Sequence, residues 1–167
     1  MTVSRAGLVA VAVLGGAAAM AGAQAAVHVQ PSHLEGPRPL AEQTAKAAVQ
    51  DYVESWQTLH TALAENRVEV LDRDFVGTAK DKLTETIQQQ AKLGMRTSYQ
   101  DRSHDLQIVF YSPEGLSIEL TDNVEYDQQI VDHDKVVTTQ HVTARYVVVL
   151  TPSETRWRVR VFQAVTE

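Results

Sequence analysis

Leu106-Gln107-Ile108-Val109-Phe110-Tyr111, then Ser112-Pro113-Glu114-Gly115, then Leu116-Ser117-Ile118-Glu119-Leu120, is two alternating runs around a turn. Alternation of apolar and polar residues is the period of a strand with one buried face. Proline presets the second position of the turn and glycine accepts a positive φ. A connection this short makes the two strands antiparallel. Leu106, Ile108 and Phe110 read as the inward set of the first strand.

Further strands follow the same logic. Val124-Glu125-Tyr126 resumes the alternation and carries it to Val131. Thr121-Asp122-Asn123 interrupts it and reads as a bulge. Residues 132–135 form a charged turn, residues 136–150 a long strand, and residues 151–155 another turn. Trp157, Val159 and Val161 read as the inward face of a last strand, with Arg156, Arg158 and Arg160 opposite. The preceding strand has no acidic residue between Val136 and Leu150, so this basic row reads as an accessible, partner-binding stripe.

On the N-terminal side the period is helical. Ala45, Ala48, Val49, Tyr52, Val53, Trp56, Leu59, His60 and Leu63 recur at spacings of three and four from a start at Pro39. Asn66 reads as the cap of a short second helix with Val68 and Leu71 inward. Gly77-Thr78 opens a third helix whose stripe is Leu83, Ile87, Ala91 and Leu93, stopped by Gly94. Three helices followed by a four-stranded antiparallel meander give an α+β fold. The apolar sheet face must be covered, and the long first helix is the available cover. The expected shape is a curved sheet around that helix, a cone.

The first 25 residues stand apart. A basic start ending at Arg5, an apolar run over residues 6–23 and Ala23-Gln24-Ala25 have the layout of an export signal. Cleavage after Ala25 is the preferred reading, with Ala23 as the other site. An uncleaved membrane anchor is the alternative, because the run is long enough to span a bilayer. Residues 26–38, with two prolines and no periodicity, read as a flexible leader, and residues 39–167 as one domain. The chain has no cysteine, so it carries neither disulfide nor lipid-modified thiol. Its net charge of −6 argues against nucleic acid and anionic lipid as partners.

The element order, the long penultimate strand and the closing Arg156-Trp157-Arg158-Val159 resemble the nuclear transport factor 2-like superfamily over residues 40–163. That group includes ketosteroid isomerase-like proteins, dehydratases, polyketide cyclases and many non-catalytic domains of envelope assemblies. Fold alone therefore does not decide chemistry. Val49-Gln50-Asp51-Tyr52-Val53 looks like the first helix of the isomerases, which would make Tyr52 an oxyanion donor. The carboxylate base of that mechanism would fall in residues 77–94, which hold Gln88-Gln89-Gln90 and no residue that carries the role over.

The reading is thus an exported, non-enzymatic domain of the cell envelope with no catalytic residue assigned. It acts by protein contact, homo-oligomerisation or binding of a small apolar ligand. An isomerase or dehydratase, and a membrane-anchored assembly subunit, are the alternatives. Tyr52, Trp56, His60, Tyr126 and His141 are the pocket candidates, with Trp56, Leu59, Phe110 and Tyr126 able to fill the cone of a scaffold. Asp132-His133-Asp134 is a hairpin tip without the spacing of a metal site. No cofactor is implied. A cut after Ala25 would create one metal candidate, in which the Ala26 amine, two amides and His28 wrap copper(II) or nickel(II) in a square plane.

Overall fold

The computed structural model describes residues 24–32, 34 and 38–165. Apart from Gln24 and Ala25, the expected export signal lies outside the described residues. Strand β1 (Ala26–Val29) is followed by helix α1 (Glu42–Glu65), a 3-10 helix (Val68–Arg73) and helix α2 (Gly77–Lys92). Strands β2 (Met95–Tyr111), β3 (Ile118–Asp132), β4 (Lys135–Pro152) and β5 (Trp157–Val165) complete the chain. The sheet order is β1-β2-β3-β4-β5, antiparallel from β2 to β5.

The four-stranded meander is present, and a fifth strand joins it from the segment expected to be a flexible leader. β1 runs parallel to β2, with Ala26 opposite Ser103 and Val29 opposite Leu106. Ala-Val-His-Val is too short to show a period, so its pairing comes from the open edge of β2 rather than from a pattern of its own. The edge of β5 is covered differently: Val76 N–H donates to Val159 O (2.9 Å) and Val159 N–H to Asp74 O (2.8 Å). This ties the 3-10 helix to the sheet.

α1 crosses the concave face of the sheet. Ala48, Tyr52, Trp56, Leu59, Ala62 and Leu63 meet Leu106, Ile108, Leu120, Val124, Val148 and Leu150 in one core. Ala45, Val49 and Val53, on the flank of the apolar stripe, are half-buried against this core. Asn66 ends α1 instead of starting the next helix. It adopts φ 54°, a conformation asparagine tolerates, and its amide N–H returns to Ala62 O. Its side chain also donates to Met95 O (2.9 Å), fixing where β2 starts. The 112–115 turn forms as expected, with Gly115 at φ 77°.

Four expected inward residues lie elsewhere. An extra residue at Val109 shifts the β2–β3 register, so Tyr111 and not Phe110 is buried at the strand end. An extra residue at Arg160 shifts the β4–β5 register, so Phe162 and not Val161 enters the core. Leu93, past the end of α2, is exposed, and Ala91 is too. Gln90 turns in beside them and donates to Leu63 O (2.7 Å) and Asn66 Oδ1 (2.6 Å). The expected bulge at 121–123 is absent, since Thr121, Asp122 and Asn123 hold continuous register on both sides. What breaks the alternation there is a carboxylate at a core position.

Candidate functional site

The cone is filled. Trp56 sits at its centre with ring centroids of Tyr126, Tyr146 and Phe162 at 6.0, 5.6 and 5.5 Å. Tyr146 and Phe162 stack at 4.4 Å. Tyr99 closes on Tyr126 edge-to-face at 5.0 Å. Edge-to-face and offset geometries of this kind add to the burial of large apolar rings.

A polar chain threads the core beside these rings. Tyr52 O–H donates to Asp122 Oδ2 (2.8 Å), and His104 Nδ1 lies 2.8 Å from the same oxygen. His104 Nε2 faces Asp101 Oδ2 at 3.7 Å, and His60 Nε2 faces Asp101 Oδ1 at 3.1 Å. Two carboxylates, two imidazoles and a phenol are therefore contiguous from the core to its edge. A third register shift makes this possible: Arg102 is an extra residue in β2, so Asp101 and His104 both point inward although three residues apart. Arg102 itself turns outward to Asp127.

The environment sets the charges. Burial opposes the charge on His104, but hydrogen bonds and the fields of Asp101 and Asp122 outweigh it and raise its pKa to about 9. Burial likewise opposes the charge on Asp101, and contacts with His104 and His60 overcome it, bringing Asp101 down to about 2. Tyr52 is pushed well above the usual phenol range, first by burial and then by Asp122.

A trench lies outside the filled cone, between α1 and β1. Its larger part, about 740 Å³, is lined by the apolar Val27, Val29, Ala45, Val49, Val53 and Ile108 together with polar residues that include the charged Glu42, Lys46, Glu54 and Arg73. A second part, about 410 Å³, ends on His60, Tyr99, Asp101 and His104. Gln24, Val27, Val53 and Gln57 line both, so the two parts adjoin. Together they form a recess with an apolar floor and a polar end, the usual make-up of a small-molecule site.

Of the expected pocket residues, Tyr52, Trp56, His60 and Tyr126 come together and His141 does not. His141 is on the outer face, half-exposed, with Nδ1 3.0 Å from Asp127 Oδ1. The register that places Val142 beside Tyr126 inside the cone sends His141 the other way. Only His60 reaches the trench, while Tyr52, Trp56 and Tyr126 belong to the core.

The basic row is not an open stripe. Arg156 donates to the fully buried Asp74, which also accepts from Thr58 Oγ1, and it reaches Glu54 at 3.4 Å. Arg158 donates to the carbonyls of Asp72 and Phe75. The acids and acceptors come from α1, the 3-10 helix and the segment just after it rather than from the preceding strand, which is why strand order alone missed them. Arg160 remains exposed.

His28 lies in β1. Gln30 N–H donates to Leu106 O (2.8 Å), and the alternation of a parallel ladder directs the His28 amide to β2 as well. A copper wrap that uses this amide requires β1 to leave the sheet. Among the described residues no group of three or more metal-ligating side chains is in place for a metal ion.

Helices followed by a curled antiparallel sheet wrapped on α1 define an α+β cone of the nuclear transport factor 2-like kind. Three solved structures share it. The intermembrane space region of the chloroplast protein ARC6 superposes with a TM-score of 0.64 at 17% identity, covering 78% of this chain and 100% of that one. Kfla4162 from Kribbella flavida gives 0.50 at 8% identity, covering 72% and 91%. A Novosphingobium aromaticivorans protein provisionally named scytalone dehydratase gives 0.51 at 11%, covering 75% and 89%. No family model and no curated protein matches the chain.

Proposed function

We propose that this chain is an exported, non-enzymatic domain of the cell envelope that holds a small apolar ligand in the trench between α1 and β1. One observation carries the reading. The cone is packed with Trp56, Tyr126, Tyr146 and Phe162, and the trench beside it, with Val27, Val49 and Val53 in its lining, is a recess of ligand size. Its volume falls within the range of small-molecule sites, about 300–1,000 Å³. The export layout of residues 1–25 supports the location. So does a structural neighbour described as an intermembrane space region. Among the described residues no helix is long and apolar enough to cross a membrane.

The test is fluorescence titration with Nile red, an uncharged apolar probe, on the exported protein and on Val49→Asp and Val53→Asp. The expected result is saturable binding weakened at least tenfold by either substitution, with circular dichroism unchanged. Absence of saturable binding, or binding indifferent to both substitutions, overturns the reading.

A second reading, an isomerase- or dehydratase-type enzyme, is favoured by the His60–Asp101 pair at the polar end of the trench. An imidazole beside a carboxylate can take a proton from a bound molecule and return it. Deuterium exchange into a panel of ketones, followed by NMR, tests it. The reading predicts exchange that His60→Gln removes, and no exchange with the unaltered protein ends it.

A further inference from the structure

We propose that the ligand of the trench is an amphipathic cation: an apolar body lying on Val27, Val49 and Val53, with a protonated amine at the Asp101 end. This rests on the reading of the trench as a ligand site and names the class of ligand.

The polar end has orphaned atoms. With Gln24 and Ala25 in place, Asp101 Oδ1, His60 Nε2 and His104 Nε2 are out of reach of solvent, and among the described residues none has an aligned hydrogen-bond partner. His60 is 3.1 Å from Asp101 but misdirected, so it does not satisfy that oxygen. His104 is 1% exposed, and its other nitrogen is already held by Asp122. Buried polar atoms are almost always paired, and a cluster left open beside a recess marks where a partner group sits.

The charge of that partner follows from a count. Every titratable group at this end is named here: His60, Tyr99, Asp101 and His104 line it, and Asp122 and Tyr52 stand behind. No lysine or arginine lines it among the described residues. Asp101, held near 2, is a carboxylate throughout the physiological range. Tyr99, pushed up to about 12 chiefly by burial, is neutral, as is Tyr52. Two carboxylates thus face one imidazolium, His104, an excess of one negative charge before His60 is counted.

An ammonium meets the part of this that concerns Asp101, because it donates to the carboxylate where that side chain lines the recess and it offsets its charge. Charge-assisted hydrogen bonds are roughly twice as strong as neutral ones, and Coulomb attraction grows as the effective dielectric falls. A hydroxyl donates but brings no charge. A carboxylate is repelled.

The experiment compares three heads on one body. Octylamine, octanol and octanoate are titrated calorimetrically at pH 8 against protein that begins at Gln24, which keeps the two residues lining this end, and against its Asp101→Asn variant. The expected order is octylamine first, by about tenfold over octanol, equivalent to about 1.4 kcal/mol, with octanoate weakest. Asp101→Asn brings octylamine to within about twofold of octanol in that series. If Asp101→Asn does not fold, the head-group order in the unaltered protein decides alone. Octanol equal to or tighter than octylamine, or a preference that survives Asp101→Asn, overturns the cation while leaving the trench a ligand site. Binding of none of the three overturns the trench and the cation together.

Discussion

His104 Nδ1 lies 2.8 Å from Asp122 Oδ2, and neither side chain has more than 1% of its surface exposed. A charged imidazole this deep survives only because Asp122 and Asp101 flank it, so its protonation is part of the folding equilibrium. Its folded pKa is about 9, against the ordinary histidine value of 6.5. A raised pKa stabilises the fold fully below the unfolded value and loses that contribution as pH rises through the folded one. The shift corresponds to about 3 kcal/mol. Urea unfolding should therefore show stability falling by about this amount between pH 6.5 and pH 9.5. Long-range proton–nitrogen NMR should report His104 doubly protonated at pH 8; a neutral ring at that pH would refute the ion pair. Asp101 acts at the other end. Its folded pKa is lowered to about 2, so its contribution is present above the unfolded value of 3.8 and is lost as pH falls through 2.

Removing the partner is worse than removing the pair. Asp122→Asn leaves His104 buried with one carboxylate fewer, and breaking a buried pair costs about 3–5 kcal/mol. Tyr52→Phe deletes a donor to the same oxygen and leaves Asp122 with His104, so its cost is smaller, about 1–2 kcal/mol. Chemical denaturation of the two variants checks the order. Tyr52→Phe as damaging as Asp122→Asn would mean that the phenol, and not the imidazole, holds the carboxylate.

These residues show what was legible in the chain and what was not. The cone was legible because its causes are local: helical spacing along α1, alternation from Leu106 onward, proline and glycine in the 112–115 turn. Asp122 was half legible. It stands in phase with Leu120, Val124 and Tyr126, and a polar residue at such a position signals a bulge or a buried charge. His104 likewise stands in phase with Leu106 and Ile108. Asp101 gave no such signal, because it faces inward only through the extra residue at Arg102, and register shifts are set by pairing between strands. β1 was hidden for a related reason, since four residues carry no period and the edge of β2 selects them.

Arg156 and Arg160 look equivalent in sequence and should behave differently. Arg156 holds the buried Asp74, while Arg160 is exposed. Arg156→Ala should cost about 2 kcal/mol, less than a fully buried pair because part of the guanidinium remains in water. Arg160→Ala should stay within about 0.5 kcal/mol. Thermal denaturation of both variants separates the cases. Equal and negligible effects would restore the picture of a solvent-exposed basic stripe.

The start of β1 connects export to the trench. Gln24 and Ala25 stand over His60 and Asp101, and Ala26 is the first paired residue. A cut after Ala25 removes the two residues over the polar end and leaves the strand whole, whereas a cut after Ala23 keeps them. Intact mass of the exported protein is expected to correspond to a start at Ala26; a mass retaining residues 1–25 would end the soluble, cleaved reading. The same product tests His28. A square-planar copper complex needs the His28 amide deprotonated, and the ladder directs that amide to β2. Copper(II) titration followed by visible absorption and amide exchange should therefore give the square-planar spectrum only as protection in β1 disappears. The spectrum appearing with that protection intact would overturn the parallel register of β1, and with it the side of the trench that Val27 and Val29 line.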